Sequence, residues 1–498
     1  MRTYFLFIII ILFSHDLYSQ GTESKYDSVF LDNQKLDGYR GIWWAHGPMQ
    51  DRPHSPGYGS NKFKYSGPLS FAWPHTVAPM AIYAPEVNKT FFVYGGDTGP
   101  NNRYLLAMIS YYDHEKHQVP KPTVVRDQRG IDDPHDNPSI SIDNEGYIWV
   151  FIAGRSRHRP GQIYKSEEPY SIDSFQQIIE REQTYSQIWH VPEKGFFHLL
   201  TLYTNGRELY WETNRDGTNW TSNSAEDLQK LAGFGGHYQV SRVHGDTIAT
   251  AFNYHPDNNV DRRTNLYYLQ TTDFGETWTT ADGTPVTTPL DNVNNPAMLK
   301  DYETQGKNVY PNMLLFDKNG YPVILYITTF GAAPVLENRP RSWKVTRWNG
   351  HEWSTQYVTI SDHAYDTGAF YIHDDRWTLI APALPGPQPT FNGGEIGLYE
   401  TINPADPDND WWQLKRQVTI NSEFNHAYVR RPHNPKDPFY AIWADSNSEE
   451  DSISRLYFTN SRGDRLFKLP YKMDGEYAEP IELTPPIPPK GEETSFYK

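Results

Sequence analysis

Seven points along the chain carry an imidazole or a phenol just ahead of an apolar hairpin: His75, His135, Tyr185, His237 with Tyr238, Tyr310, His363 with Tyr365, and His426 with Tyr428. Both side-chain types move protons when their surroundings tune them. A single His or Tyr at such a point is more often a hydrogen-bonded packing residue. The recurrence changes the odds, because packing alone would accept Leu, Phe or Val at most of these positions. The set predicts a ring of His and Tyr on one funnel, with at least two members in proton transfer. Cations are fewer. Arg155, Arg157 and Arg159 bracket His158 after the second hairpin, and Arg207 follows the third. Arg242 lies in the fourth, Arg262 and Arg263 follow it, and Arg430 and Arg431 lie in the seventh. Most exposed Arg are solvated charge, but the cluster beside His135 is well placed to meet an anion. Asp132 with Asp133, and Asp362 with Asp366, suit glycosidase carboxylates or a structural calcium ion equally well, and the DDPHDN segment also fits as a brace for His135. No HExxH, phosphate-binding loop or dinucleotide fingerprint supports protease, NTPase or redox chemistry.

Each hairpin has an apolar strand, a tight polar turn and a second strand rich in aromatic and β-branched residues. The segments are 81–96, 139–154, 187–204, 238–254, 312–328, 368–383 and 427–444, with starts 58, 48, 51, 74, 56 and 59 residues apart. That is the span of a four-stranded blade plus its connection, so the expected fold is all-β, a seven-bladed β-propeller. Its first strands would line a central channel and present the His and Tyr at one mouth. SISIDNEGYIWVFIAG and LLFDKNGYPVILYIT show the turn chemistry directly. Residues 271–278, TTDFGETW, match the Asp-box S/T-x-D-x-G-x-T-W, with variants at 214–220 and 347–353. The box is a structural turn and carries no catalytic information. Helical periodicity is confined to 225–231 and parts of 171–182. Residues 20–70, together with 455–469, are expected to close the ring.

The opening MRTYFLFIIIILFSHDLYSQG has the charge, apolar length and small Ser19 of a secretory leader, giving residues 1–19 as signal peptide. Residues 20–469 would be one propeller domain and 470–498, with its Pro-rich stretch, an extended tail. No other apolar stretch approaches membrane length. With no Cys there are no disulfides, thiolate metal sites or lipoprotein anchor. A net charge of -16 argues against nucleic acid, so an anionic ligand needs a pocket assembled from placed Arg and His. Aromatics at 15 % suit stacking on sugars as well as packing between blades.

GYRGIWW (38–44), KYSGP (64–68), PMAIYAPEVNKTFFVYGG (79–96), DDPHDNPSISIDNEGYIWVFIAGR (132–155), GHYQVS (236–241), AFNYH (251–255) and NVYPNM (308–313) give the chain a resemblance to the BNR-type propellers that include the ulvan lyases, polysaccharide lyase families 24 and 25. The resemblance spans nearly the whole mature chain. It implies a secreted, extracellular or periplasmic enzyme, expected as a monomer, that cleaves an anionic polysaccharide of sulfated rhamnose and uronic acid by β-elimination, with no cofactor required. His135 and His158 match the family's active-site histidines and Tyr185 its proton-transferring tyrosine. Tyr238 and His255 match further pocket residues, and Asn137, Arg155, His237 and Tyr310 complete the expected substrate-binding set. Where many relatives carry a charge-neutralising Arg this chain has Leu202-Tyr203-Thr204, and Arg207 is the substitute. The elimination needs a cation on the carboxylate, a base for the C5 proton and an acid for the departing O4, which Arg, His and Tyr can supply. A glycoside hydrolase on the same fold and a non-catalytic lectin are the alternatives.

Overall fold

All seven segments fold as hairpins. In this computed structural model residues 31–46, 65–72, 77–99, 105–156, 158–221, 227–332, 336–374, 376–389, 391–401 and 411–483 are described. The expected leader, His75, Arg157 and the Pro-rich stretch after residue 483 lie outside them. Seven sheets of four or more antiparallel strands follow in chain order, each a blade of a seven-bladed β-propeller. Their two inner strands are Ala81–Ala84 and Lys89–Gly96 (blade 1), Pro138–Ile142 and Ile148–Ile152 (blade 2), Thr184–Val191 and Gly195–Leu202 (blade 3), Gln239–His244 and Thr247–Tyr254 (blade 4), Asn308–Phe316 and Pro322–Thr329 (blade 5), Ala369–Ile372 and Trp377–Leu384 (blade 6), and Asn425–Arg430 and Ala441–Ser446 (blade 7).

Burial peaks at the second strand of the blades and falls toward the rim. Every residue of Gly195–Leu202 and of Pro322–Thr329 is buried, because both faces of an inner strand meet a neighbouring blade. Such strands are apolar on both sides rather than alternating. The outermost strands, such as Phe175–Arg181, are largely exposed. Turns repeat one device: Asp143 Oδ1 accepts from Tyr147 N (2.9 Å) and Asp317 Oδ1 from Tyr321 N (3.0 Å). Gly146 and Gly320 complete these turns at φ 87° and 76°, where a side chain would be strained. In the Asp-box, Asp273 Oδ1 accepts from Thr277 N at 2.9 Å and Trp278 is buried.

Three expectations need correction. Where helices were expected in 225–231 and 171–182, the described residues instead carry the strands Gln229–Ala232 and Phe175–Arg181, because sheet edges of blades 3 and 2 supply the hydrogen-bond partners that decide a short ambiguous pattern. Residues 455–469 do not close the ring with the N-terminus but form the third and fourth strands of blade 7. Residues 470–483 are not a tail: Ile481–Leu483 adds a fifth strand to that blade, and Tyr477–Ala478 pairs with Val119–Pro120 beside blade 1. Blades 7 and 1 also meet through His433, bonded to Ala81 and Tyr83, and through Phe92 stacked on Phe439 at 5.2 Å. The N-terminal segment sits at this seam, with Gly41 bridging Gly96 and Ser454. From there it forms a separate hairpin, Trp43–His46 with Tyr65–Pro68.

Candidate active site

Tyr185 opens the first strand of blade 3 at a bulge, where the register slips between Thr184 and Gln187. Its φ is 57°, a left-handed conformation that costs a bulky residue of the order of 1 kcal/mol or more. Tyr428 repeats this in blade 7, with φ 57° at the slip between Ala427 and Arg430. A bulge turns a side chain out of the pleat. Tyr238 precedes the first strand of blade 4 and is pinned by Asn253, whose Oδ1 accepts from Tyr238 N (2.9 Å) while its Nδ2 donates to Val309 O (2.9 Å).

These placements produce a continuous aromatic chain across the mouth of the ring. His135 lies 6.2 Å from Tyr185, Tyr185 5.4 Å from Tyr238, and Tyr238 4.7 Å from His255, between ring centroids. Tyr310 continues to Tyr365 at 5.4 Å, and Tyr365 to Tyr65 at 4.7 Å. Trp44 joins the two runs, 6.1 Å from Tyr65 and 5.8 Å from His135. Thus His135, Tyr185, Tyr238, His255 and Tyr310, distant in sequence, share one site. The N-terminal hairpin adds Trp44 and Tyr65 to it, which the hairpin repeat gave no means of seeing.

Two kinds of arginine surround this chain. Arg155 Nη1 and Arg159 Nη2 reach Asp133 Oδ2 at 3.4 and 2.9 Å, and Arg159 also bonds Asp136 at 2.7 Å. Asp133 pairs with His135 Nδ1 as well and caps the short helical turn Pro134–Asp136. Burial opposes its ionisation, but His135, Arg155 and Arg159 hold the carboxyl well below the usual range. Arg207 has no carboxylate in reach among the described residues. Its guanidinium lies 5.2 Å from the Tyr203 ring and 5.9 Å from Tyr238, and its Nε is unpartnered. Arg263, one of the cations noted after the fourth hairpin but not assigned to the site, belongs to it. It is 3 % exposed, 4.7 Å from the rings of both Tyr238 and Tyr310, and donates to Tyr365 OH at 2.6 Å. Arg262, its neighbour, points outward at 52 % side-chain exposure and pairs with Asp257 and Glu303.

The arginines split the two central phenols. Burial raises Tyr185 well above the ordinary range, with Tyr203 and Tyr238 adding to the rise. Burial would do the same to Tyr238, but Arg207, Arg263 and a hydrogen bond with Tyr185 more than offset it and bring Tyr238 down to about 8. A neutral phenol therefore sits bonded to one that ionises readily, an arrangement suited to giving and taking a proton.

The remaining expected site residues differ in burial. His158 is exposed on the turn that Arg155 and Arg159 close, its backbone N bonded to Ser156 Oγ at 3.4 Å. His237 is fully buried against Phe234 at 4.5 Å, with Nδ1 bonded to Asn253 O, and burial lowers it to about 4. Asn137 is fully buried and donates to Leu69 O at 2.8 Å, holding the segment after the N-terminal hairpin. His426 accepts from Trp443 Nε1 and bonds Ser422, a packing role. Among the described residues no group of three or more His, Asp or Glu is placed to hold a metal ion, and Asp366 is occupied by Ser361 and Gly393 N.

A seven-bladed propeller with a Tyr- and Arg-lined mouth is the class this fold and site define. The chain belongs to the BNR repeat-containing family, whose model matches residues 101–360. Among solved structures it is similar to a family 25 polysaccharide lyase, an ulvan lyase, at 16 % identity and TM-score 0.63, over 81 % of this chain and 95 % of that one. The same family's structure bound to -[GlcA(1-4)Rha3S]- aligns at 16 % identity and TM-score 0.62, over 81 % and 95 %. The polysaccharide lyase Uly1 aligns at 11 % identity and TM-score 0.56, over 87 % and 98 %. At such identities the likeness is one of fold. No curated protein matches by sequence.

Proposed function

We propose that this protein is a secreted polysaccharide lyase that cleaves a uronate-containing anionic polysaccharide, of the sulfated rhamnose–uronic acid class, by β-elimination. The observation that carries the reading is the Tyr185–Tyr238 pair under Arg207 and Arg263, with Tyr238 brought to about 8. Arg207 neutralises the uronate carboxylate, which acidifies C5–H. The Tyr238 phenolate takes the C5 proton, the C–H electrons form C4=C5, and the C4–O4 bond breaks. Tyr185 donates its proton to O4, and the proton now on Tyr238 passes to Tyr185 across their hydrogen bond, restoring the starting pair. Asp133 holds His135 against Tyr185 at the sugar's flank. The substrate class draws support from the fold-related lyase whose structure holds -[GlcA(1-4)Rha3S]-, and secretion from the N-terminal leader.

Incubating the protein with ulvan and other uronate polysaccharides tests this. Elimination yields a conjugated unsaturated uronate with strong ultraviolet absorbance. New reducing ends without that absorbance would make the protein a hydrolase, and binding without either product would make it a lectin.

A further inference from the structure

Beyond the tyrosine mouth the first strands continue into the channel. There a cavity of about 50 Å³ is lined by Gln187 and Trp189 of blade 3, Arg242 of blade 4, Asn312 of blade 5, and Arg430 and Arg431 at the end of blade 7's first strand. Arg242 is four positions on from Tyr238, and Arg431 three on from Tyr428. At about 3.3 Å per residue these arginines lie roughly 10–13 Å along the strands from those phenols. The arginine cluster is therefore distinct from the site assigned to the uronate.

The charges in this cavity do not balance within the chain. No Asp or Glu is among the described residues that line it. Arg430 is 5 % exposed; its Nη2 donates to Val77 O, and its Nη1 has no partner. Arg431 Nη1 donates to Pro432 O at 3.2 Å, and its Nε is unpartnered. Arg242 makes no ion pair among the described residues and lies 5.4 Å from the Trp189 ring, while Arg431 lies 5.3 Å from Tyr371. Burial lowers all three guanidinium groups from their ordinary range, Arg430 to about 9. His433, 5.6 Å from Trp189, is held neutral by burial and by Arg242 and Arg431. Guanidinium does not readily give up its proton, so the compensating charge must come from outside. The volume is several times the roughly 10–15 Å³ that holds one water molecule, and guanidinium groups without a carboxylate partner suit an acceptor with several oxygens.

We propose that the propeller channel binds one small inorganic oxyanion, sulfate or phosphate, through Arg242, Arg430 and Arg431. Equilibrium dialysis of the full chain against labelled phosphate and, separately, labelled sulfate, with chloride holding ionic strength constant, measures it. One saturable anion per chain is expected. The oxyanion that binds more tightly identifies the occupant. Arg242→Gln should weaken uptake at least tenfold. Absence of saturable uptake of either anion, displacement by equimolar chloride, or unchanged uptake in Arg242→Gln would overturn the proposal. Should that variant not fold, crystals of the unmodified protein soaked in selenate decide the matter. An anomalous peak between these arginines supports the site, and its absence there refutes it.

Discussion

Arg155 and Arg159 stand on the loop after blade 2's inner hairpin and are occupied by Asp133 and Asp136, whereas Arg207, after blade 3's, meets only phenols. Both sets flank the same aromatic chain and carry the same charge. The first builds a scaffold: its cations fix two carboxylates, and one of those orients His135. The second builds a reactive field, because an uncompensated guanidinium in a water-poor setting lowers the cost of a nearby negative charge. Local cation density is therefore a poor guide to anion binding. What matters is whether a carboxylate has already taken up the charge.

The comparison breaks most visibly if the two sets are exchanged in experiment. Arg207→Met should lower turnover on a uronate polysaccharide by about 10³-fold, the upper range for removing one electrostatic stabiliser, with the thermal midpoint nearly unchanged. Arg159→Met should do the opposite. It strands Asp136, whose side chain is 2 % exposed, and costs about 3 kcal/mol of stability in denaturant titration. Equal loss of turnover and no loss of stability in Arg159→Met would erase the distinction.

Tyr185→Phe keeps the ring but removes its proton, so turnover should fall on the order of 10²-fold while substrate affinity is largely kept. Full product formation by this variant would take Tyr185 out of the mechanism. A smaller effect belongs to pH. The base is active when ionised, so kcat/KM should climb with pH and level off above about 8, lying about tenfold below the plateau at pH 7. Tyr238→Phe should abolish that limb, and its ultraviolet titration should lack the phenolate that forms near pH 8. The smallest change is expected for His158→Ala. An exposed ring on the scaffold loop should alter kcat/KM by no more than about twofold. A hundredfold loss would restore His158 to the active site and move the scaffold loop into the chemistry.

Much of the fold was legible because its determinants are local. The alternation in SISIDNEGYIWVFIAG, the Asp143 and Asp317 turns and the glycines at positive φ each act within one hairpin, and the hairpin spacing sets the blade count. The weak helical patterns failed for the converse reason, since Gln229–Ala232 and Phe175–Arg181 are held by neighbouring strands. At the site, recurrence found the phenols and imidazoles but could not sort them. Tyr185 and Tyr238 enter the cluster while His237 and His426 turn into blade packing.

Seven hairpins and the His and Tyr that precede them are thus set by the order of residues, since period, turn type and residue class are properties of contiguous residues. Only the tertiary structure decided which arginines keep their charge available, why Tyr238 ionises more easily than Tyr185, and that Tyr65 and Arg263 join the site. Each of these depends on groups within a few ångströms in space that lie tens to hundreds of residues apart in the chain. Electrostatic free energy follows distance and burial, and neither is written in the order of residues.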